Sequence, residues 1–258
     1  MRFFLEEAAE VGDVVSLSTA DSYHLSRVLR KKPGYQLELV SANRVFAAEL
    51  LSQGSEQEPA QVRLLQELAA YSEAPLRLIL LQGLAKGERM EIVLQKAVEL
   101  GADCIVPVAC QRSVVRLAGE KAAAKQQRWQ KIADAAAKQC GRTKLVQVAP
   151  VQSLADALAS LPADCRVIMP WEEADGKQVG SSLRQALAGG GRPACAALVI
   201  GPEGGLTEEE ARLAEAKGAA LVTLGRRILR TETAAIAAMS ILMYVWGDLS
   251  GEVDELDE

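Results

Sequence analysis

Two glycine-bearing segments hold the residues best suited to chemistry. The apolar run Ala197–Ile200 leads into Gly201, Pro202, Glu203, Gly204 and Gly205. A second apolar run, Ala220–Leu224, leads into Gly225 and the basic stretch Arg226, Arg227, Ile228, Leu229 and Arg230. Glycine lets a backbone turn sharply and lie close to a bound group, so two such loops facing each other would line a crevice with backbone amides. A generic glycine turn could account for the first segment alone; its repetition after a second strand points to a ligand. Neither G-x-x-x-x-G-K-[ST] nor G-x-G-x-x-G occurs, so nucleoside triphosphates and dinucleotides lack their fingerprints. Glu203 and the acids at 208–210 would repel phosphate. An adenosine-containing ligand without phosphate, preferably carrying a positive centre, fits the pattern best.

Other chemistries are thinly supplied. His24 is the one histidine, so any serine–histidine triad would have to use it, and a zinc site would have almost no nitrogen ligands; no metal is expected. Cys104, Cys110, Cys140, Cys165 and Cys195 are odd in number and show no C-x-x-C pairing, so they are expected to be core thiols of a reducing compartment. The opening residues lack the apolar core of a signal peptide. The most apolar stretch, 234–246, is shorter than the roughly 20 residues of a membrane span. A cytoplasmic protein, with no membrane partner, is the expectation.

The formal charge of −5 first argues against a polyanionic partner, yet five acids crowd into the last eight residues, 251–258. From Arg112 to Lys144 nine basic residues face two acids, Glu120 and Asp134. Such a run is either a solvated helix face or a nucleic-acid surface, because phosphate contacts supply most of the affinity for a polyanion.

The elements that must position these residues fall into two regions, for which 258 residues at 49% hydrophobic leave room, although one domain is a permitted alternative. Val14–Leu17, Gln36–Val40 and Arg44–Leu50 alternate as short strands, with a turn at Ser41–Asn43, and read as a small β barrel. Between them Leu25, Val28 and Leu29 share a helical stripe while Arg27, Arg30, Lys31 and Lys32 project elsewhere. After a linker at 71–75, strands (76–82, 104–108, 167–170, 198–200) alternate with helices (87–100, around 120–139), the signature of a largely parallel α/β sheet. Ligands of such sheets bind beyond the carboxyl ends of the strands, where Gly201–Gly205 falls. Thr207 with Glu210 forms a capping box that starts a helix stopped by Gly218.

The run from Ile200 to Gly205, followed by Leu224–Ala234, resembles the cofactor region of the SPOUT methyltransferases, specifically the ribosomal RNA small subunit methyltransferase E family. His24–Arg30, Lys86–Lys96 with Ala97–Gly101, Arg112–Ser113 and Gln139–Arg142 match as well, so the landmarks span nearly the whole chain. The family shows Glu-Gln-Ser before Gly141 and a proline shortly after Arg142; here stand Lys138, Gln139 and Cys140, and Val146. The resemblance implies an α/β fold: a PUA-like RNA-binding β barrel at 1–70, a methyltransferase domain with a C-terminal trefoil knot at 76–250, and an acidic tail at 251–258. It also implies bound S-adenosylmethionine, a homodimer built across the knot, and methylation of N3 of one uridine in 16S ribosomal RNA on the assembled small subunit. Under it, Leu198, Ile200, Gly201, Glu203, Gly204, Gly205, Leu224, Gly225, Ile228, Leu229 and Thr233 hold the cofactor, and Met169, Pro170 and Trp171 supply a third wall or simply pack a strand end.

Arg230 is the candidate for orienting the uracil, because a guanidinium can donate to a carbonyl and stabilise the developing anion. Glu232 accepts the N3 proton or holds Arg230; alternatively Thr231 and Glu232 merely cap the 234–246 helix. Arg112, Arg142 and Lys86 would meet RNA from the catalytic domain and Arg27, Arg30 and Lys31 from the barrel, unless any of them is tied up in an ion pair. Methylation of a ribose 2′-oxygen and a non-catalytic RNA-binding role are the competing functions.

Overall fold

The computed structural model describes residues 2–54, 58–69, 73–171, 181–189 and 191–251. Most of the acidic tail and part of the 71–75 linker therefore lie outside the described residues. The chain divides into two compact units, residues 1–73 with 137–145, and residues 74–136 with 146–258.

The first unit is built from β1 (Arg2–Phe4), β2 (Val14–Ser16), α1 (Thr19–Tyr23), β3 (Gln36–Ser41), β4 (Arg44–Ser52) and β5 (Gln61–Leu68). The strands follow the order β1-β3-β4-β5-β2, with β1 parallel to β3 and the other pairs antiparallel. The expected hairpin is present. Ala42 and Asn43 take φ of 48° and 65°, the positive values that a two-residue turn needs to match the twist of its strands. The expected barrel is not closed: the path ends at β1 and β2, which do not pair with each other among the described residues. Phe3, Leu39, Phe46, Leu50 and Val62 fill the core of this open sheet.

One helical expectation is corrected. After α1 the chain winds as a π-helix over His24–Val28, with the Leu29 amide donating five residues back to the His24 carbonyl at 2.9 Å. The wider turn carries Val28 off the apolar stripe. It is 57% exposed, while Leu25 is buried.

The second unit alternates strands and helices: β6 (Arg77–Gly83), α2 (Glu88–Glu99), β7 (Ala102–Ala109), α3 (Gly119–Cys140), whose last turn belongs to the first unit, β8 (Gln147–Val148), β9 (Gln152–Ser153), α4 (Leu154–Ala159), β10 (Arg166–Pro170), β11 (Ser181–Ser182), α5 (Leu183–Ala188), β12 (Cys195–Ile200), α6 (Glu208–Ala216), β13 (Ala220–Thr223) and α7 (Thr231–Trp246). Every strand pairing described in this sheet is parallel, as expected. Its order is β11-β13-β10-β12-β6-β7-β8, with β9 also on β7. The chain thus runs outward from β6 through β7, then returns to lay β12 along the other edge of β6. That reversal brings the carboxyl ends of β10, β12 and β13 side by side, the place where open α/β sheets bind ligands.

Alternation along β6 decides what each face meets. Ile79 and Leu81 join a core with Ala157 and Leu158 of α4 and Ala211 and Ala214 of α6. Gln82 falls on the opposite face, where α7 begins. α7 is covered on one side. Ala235, Ala238, Met239, Leu242 and Met243 are covered, whereas Ile241, Tyr244 and Val245 are exposed. The cysteine expectation also changes: Cys165 and Cys195, at the starts of neighbouring strands with Cα atoms 4.6 Å apart, form a disulfide. Cys104, Cys110 and Cys140 form no disulfide among the described residues. No described helix is long and apolar enough to cross a membrane.

Candidate cofactor cavity

The first glycine loop is held by the chain itself. β12 is buried throughout, and beyond it the Gly205 amide donates to the Pro202 carbonyl at 2.9 Å with Gly205 at φ 72°. Thr207 then caps α6. Its hydroxyl accepts from the Glu210 amide, and the Glu210 carboxylate accepts from the amides of Thr207 and of Gln111, each at 2.8 Å. Three glycines here make room for protein. A Cβ on Gly83 would stand 2.5 Å from the Pro202 nitrogen, one on Gly204 2.8 Å from the Arg112 carbonyl oxygen, and one on Gly201 3.0 Å from Leu206. Close approach to a ligand, the sequence-based reason for Gly201 and Gly204, is therefore replaced by close approach to neighbouring backbone and side chains.

The second loop is bare by comparison. Gly225 has φ 107°, and no described atom lies within 4 Å of where its Cβ would stand. Thr223 Oγ1 accepts from the Gly225 amide at 3.1 Å. Ile228 is 91% exposed. Arg230, in extended conformation, occupies the N-cap position of α7 without a side-chain capping bond. Thr231, which follows, pins the two loops together: its hydroxyl donates to the Gly201 carbonyl at 2.6 Å and accepts from Gln82 Nε2 at 2.9 Å. Gln82 is fully buried and also donates to the Gly83 carbonyl at 2.9 Å. A buried amide needs such partners. The signal for Gln82 was present in the sequence, as a polar residue closing an apolar strand.

Between the loops lies a cavity of about 960 Å³, within the range of small-molecule sites, roughly 300–1,000 Å³. It is lined by residues 200–206, 223–226 and 228–232, by Ala234, by Pro170 and Trp171 at the end of β10, and by Arg89 and Arg112. Among the described residues its charged lining is four arginines (Arg89, Arg112, Arg226 and Arg230) and two glutamates (Glu203 and Glu232). Glu203 Oε1 accepts from the Lys86 amide at 2.8 Å and from Arg89 at 2.9 Å. Burial works against its ionisation, but those donors and its own backbone amide outweigh burial and hold the carboxyl below the usual range. Three of the four acids expected to repel phosphate are already engaged by the protein. Glu210 is spent on capping, Glu208 pairs with Arg212, and Glu203 is neutralised by Arg89.

The structure brings together most of the expected site. Pro170, Ile200, Gly201, Glu203, Gly204, Gly205, Leu224, Gly225, Ile228 and Leu229 line the cavity beside Arg230, Glu232 and Arg112. Met169 and Leu198 do not; both are fully buried, Met169 in the sheet core, and the exposed Thr233 lies outside the lining. Glu232 Oε1 lies 3.9 Å from Arg89 Nε, so Arg89 and not Arg230 is its ionic neighbour; its buried Oε2 has no partner. Arg89 itself went unassigned because a lone arginine early in a helix carries no signal of what it faces. Lys86 contributes its amide. Arg27 and Arg30 are exposed in the first unit, and Lys31 lies over the Tyr35 ring at 4.3 Å.

Arg142 is corrected from an RNA contact to a structural one. It is 5% exposed and donates from Nε and Nη2 to Glu73 at 2.7–3.0 Å. Burial disfavours the Glu73 carboxylate, but Arg142 and Thr143 together hold it below the usual range. Among the described residues no group of three or more His, Cys, Asp or Glu could hold a metal ion.

A family model for the RNA methyltransferase domain matches residues 72–243 and defines the class. The chain is 32% identical to ribosomal RNA small subunit methyltransferase E of Bacillus subtilis (strain 168) over 255 residues, 97% of this chain and 99% of that one. Among solved structures, that of a ribosomal RNA small subunit methyltransferase E from Neisseria gonorrhoeae bound to S-adenosyl methionine has a TM-score of 0.82 at 35% identity, covering 96% of this chain and 98% of the other. A Legionella pneumophila protein solved with bound SAM gives 0.84 at 35% identity, with the same coverage. The chain belongs to the ribosomal RNA small subunit methyltransferase E family.

Proposed function

We propose that this protein uses S-adenosylmethionine to methylate N3 of a uridine in 16S ribosomal RNA on the assembled small subunit. The observation that carries the reading is the cavity at the adjoining ends of β10, β12 and β13, closed by two loops pinned through Thr231, with Arg230 on its lining. Its volume, its exposed backbone at Gly205 and Gly225 and the aromatic wall of Trp171 suit an adenosyl group.

When bound, S-adenosylmethionine supplies a methyl group on a cationic sulfonium. Attack by deprotonated N3 merges opposite charges, so displacement of water from the cavity by the bound substrates would favour it. The Arg230 side chain makes no hydrogen bond or ion pair among the described residues, which leaves its guanidinium free to donate to a uracil carbonyl and stabilise the anion. Glu232, held near Arg89 with one oxygen unpartnered, accepts the N3 proton. Residues 200–205 and 224–229 hold the cofactor, and Arg112 meets the RNA from this unit.

Arg27, Arg30 and Lys31 hold RNA from the N-terminal unit, which in this reading is PUA-like. The C-terminal region carries the trefoil knot of its class. The exposed Ile241, Tyr244 and Val245 of α7 support a homodimer across it, and the protein works in the cytoplasm. The test is tritiated methyl transfer to isolated small subunits and to naked RNA, with the product digested to nucleosides for mass spectrometry. Base-methylated uridine from the subunits supports the reading. A ribose-methylated product or no transfer overturns it.

A further inference from the structure

The nine basic residues between Arg112 and Lys144 looked alike in sequence and are not alike in structure. Three are consumed by the protein: Arg128 pairs with Glu91 at 2.6 Å, Lys138 with Asp21, and Arg142 with Glu73. Arg112 lines the cavity. Arg116, Lys121, Lys125 and Lys131 are exposed, and their side chains make no ion pair or hydrogen bond among the described residues.

The last three share one side of α3. At 3.6 residues per turn they fall within about 120° of arc, and at 1.5 Å per residue they run over about 15 Å of helix. The face adjoining this row is buried through Trp129, Ala133 and Ala136. Beyond it, on the side directly opposite the lysines, Gln126 donates to the Val148 carbonyl, and Gln130 both donates to the Val146 carbonyl and accepts from the Val148 amide, each at 2.8 Å. The lysine row is thus carried on a helix already fixed in place, which lowers the ordering cost of any partner that binds it.

We propose that Lys121, Lys125 and Lys131, entered from Arg116, form a phosphate-binding row that holds the backbone of the RNA whose acceptor base occupies the cavity; this rests on the function proposed above. Chain continuity supports it, because Arg112 lines the cavity and seven residues on, at Gly119, α3 begins. The surface chemistry selects nucleic acid over an acidic protein. A protein interface is anchored by buried aromatic and aliphatic side chains, and no large apolar side chain of α3 is exposed; the exposed neighbours of the lysines include Ala123, Ala124 and Gln127. A polyanion needs only the charges and room to approach them. The overall charge of −5 makes this concentration local.

The test compares the full chain with a triple variant, Lys121→Gln, Lys125→Gln, Lys131→Gln, in binding to labelled naked 16S ribosomal RNA and to intact small subunits across a salt series. Each lost phosphate contact lowers the slope of log K against log salt by about 0.7–0.9. The variant is expected to lose about 2–3 from the slope and at least ~10-fold in affinity near 0.1 M salt for both forms. Its melting temperature and S-adenosylmethionine affinity should stay unchanged, and the triple arginine variant should restore binding. An unchanged slope and affinity would overturn the proposal. So would a loss confined to intact subunits with naked RNA unaffected, which would assign the row to a ribosomal protein. A wild-type chain that binds RNA through this row yet transfers no methyl group would refute the activity and leave the row standing.

Discussion

The loop after β12 and the loop after β13 both read as glycine turns, but only the first is fastened by its own protein. Gly201 and Gly204 press against Leu206 and Arg112, Gly83 against Pro202, Glu203 is tied to Lys86 and Arg89, and Thr207 starts α6 in a reciprocal cap. In the second, a Cβ on Gly225 would meet no described atom, Ile228 projects into solvent, and the side chains of Arg226, Arg227 and Arg230 are without partners among the described residues. The difference separates roles: the first loop is a rigid wall, and the second presents unpaired groups to whatever binds. Thr231 joins them, so the exposed groups are displayed from a fixed point.

The largest effect should come from the open side. Arg230→Ala should lower the methyl-transfer rate by about 10²–10³-fold, the usual effect of removing one donor to a developing anion. S-adenosylmethionine affinity and melting temperature should stay unchanged, since the Arg230 side chain bonds to no other described residue. A parallel loss of cofactor binding would mean that it belongs to the wall. On the fastened side, Gly83→Ala forces a Cβ into the Pro202 backbone and should cost about 1–3 kcal/mol of stability, measurable by denaturant unfolding. Gly225→Ala meets no atom and should cost only about 1 kcal/mol, from its left-handed φ. Equal costs for the two glycines would erase the distinction between the loops.

Thr231→Val probes the link itself. It leaves Gln82 and the Gly201 carbonyl without their shared partner, at a cost of about 1–3 kcal/mol, and should weaken cofactor binding and transfer together. Smallest is a pH effect on the wall. The Glu203 carboxyl is depressed in the folded chain, so its contribution to stability is complete above its unfolded value of about 4.3 and fades as pH falls through the lower folded value. Glu203→Gln should lower the neutral plateau slightly and leave stability at the lowest pH unchanged, so that the acid limb of the unfolding curve becomes flatter.

The parallel sheet, the capping box at Thr207 and the placement of both loops at strand ends were legible because each depends on neighbours within a few residues. What sequence did not reveal depends on distant partners. Arg142 and Arg112 are both basic residues in one run, yet one is buried against Glu73, 69 residues earlier, and the other lines the cavity. Met169 and Leu198 were assigned to the site with the segments that follow them; both lie inside strands buried on both faces, so their side chains are in the core. The π-helical turn at His24 hides behind an ordinary helical pattern, because one extra residue per turn leaves no compositional mark. Gln82 was readable as a polar residue in an apolar strand, but its role in joining the loops needed Thr231, 149 residues away.

The most direct test is calorimetric titration of S-adenosylmethionine into the full chain. One molecule bound per chain, with affinity reduced in Thr231→Val and retained in Arg230→Ala, is the expected result. Absence of binding by the wild-type chain, or binding indifferent to Thr231, would contradict the assignment of the cavity between the two loops as the cofactor site.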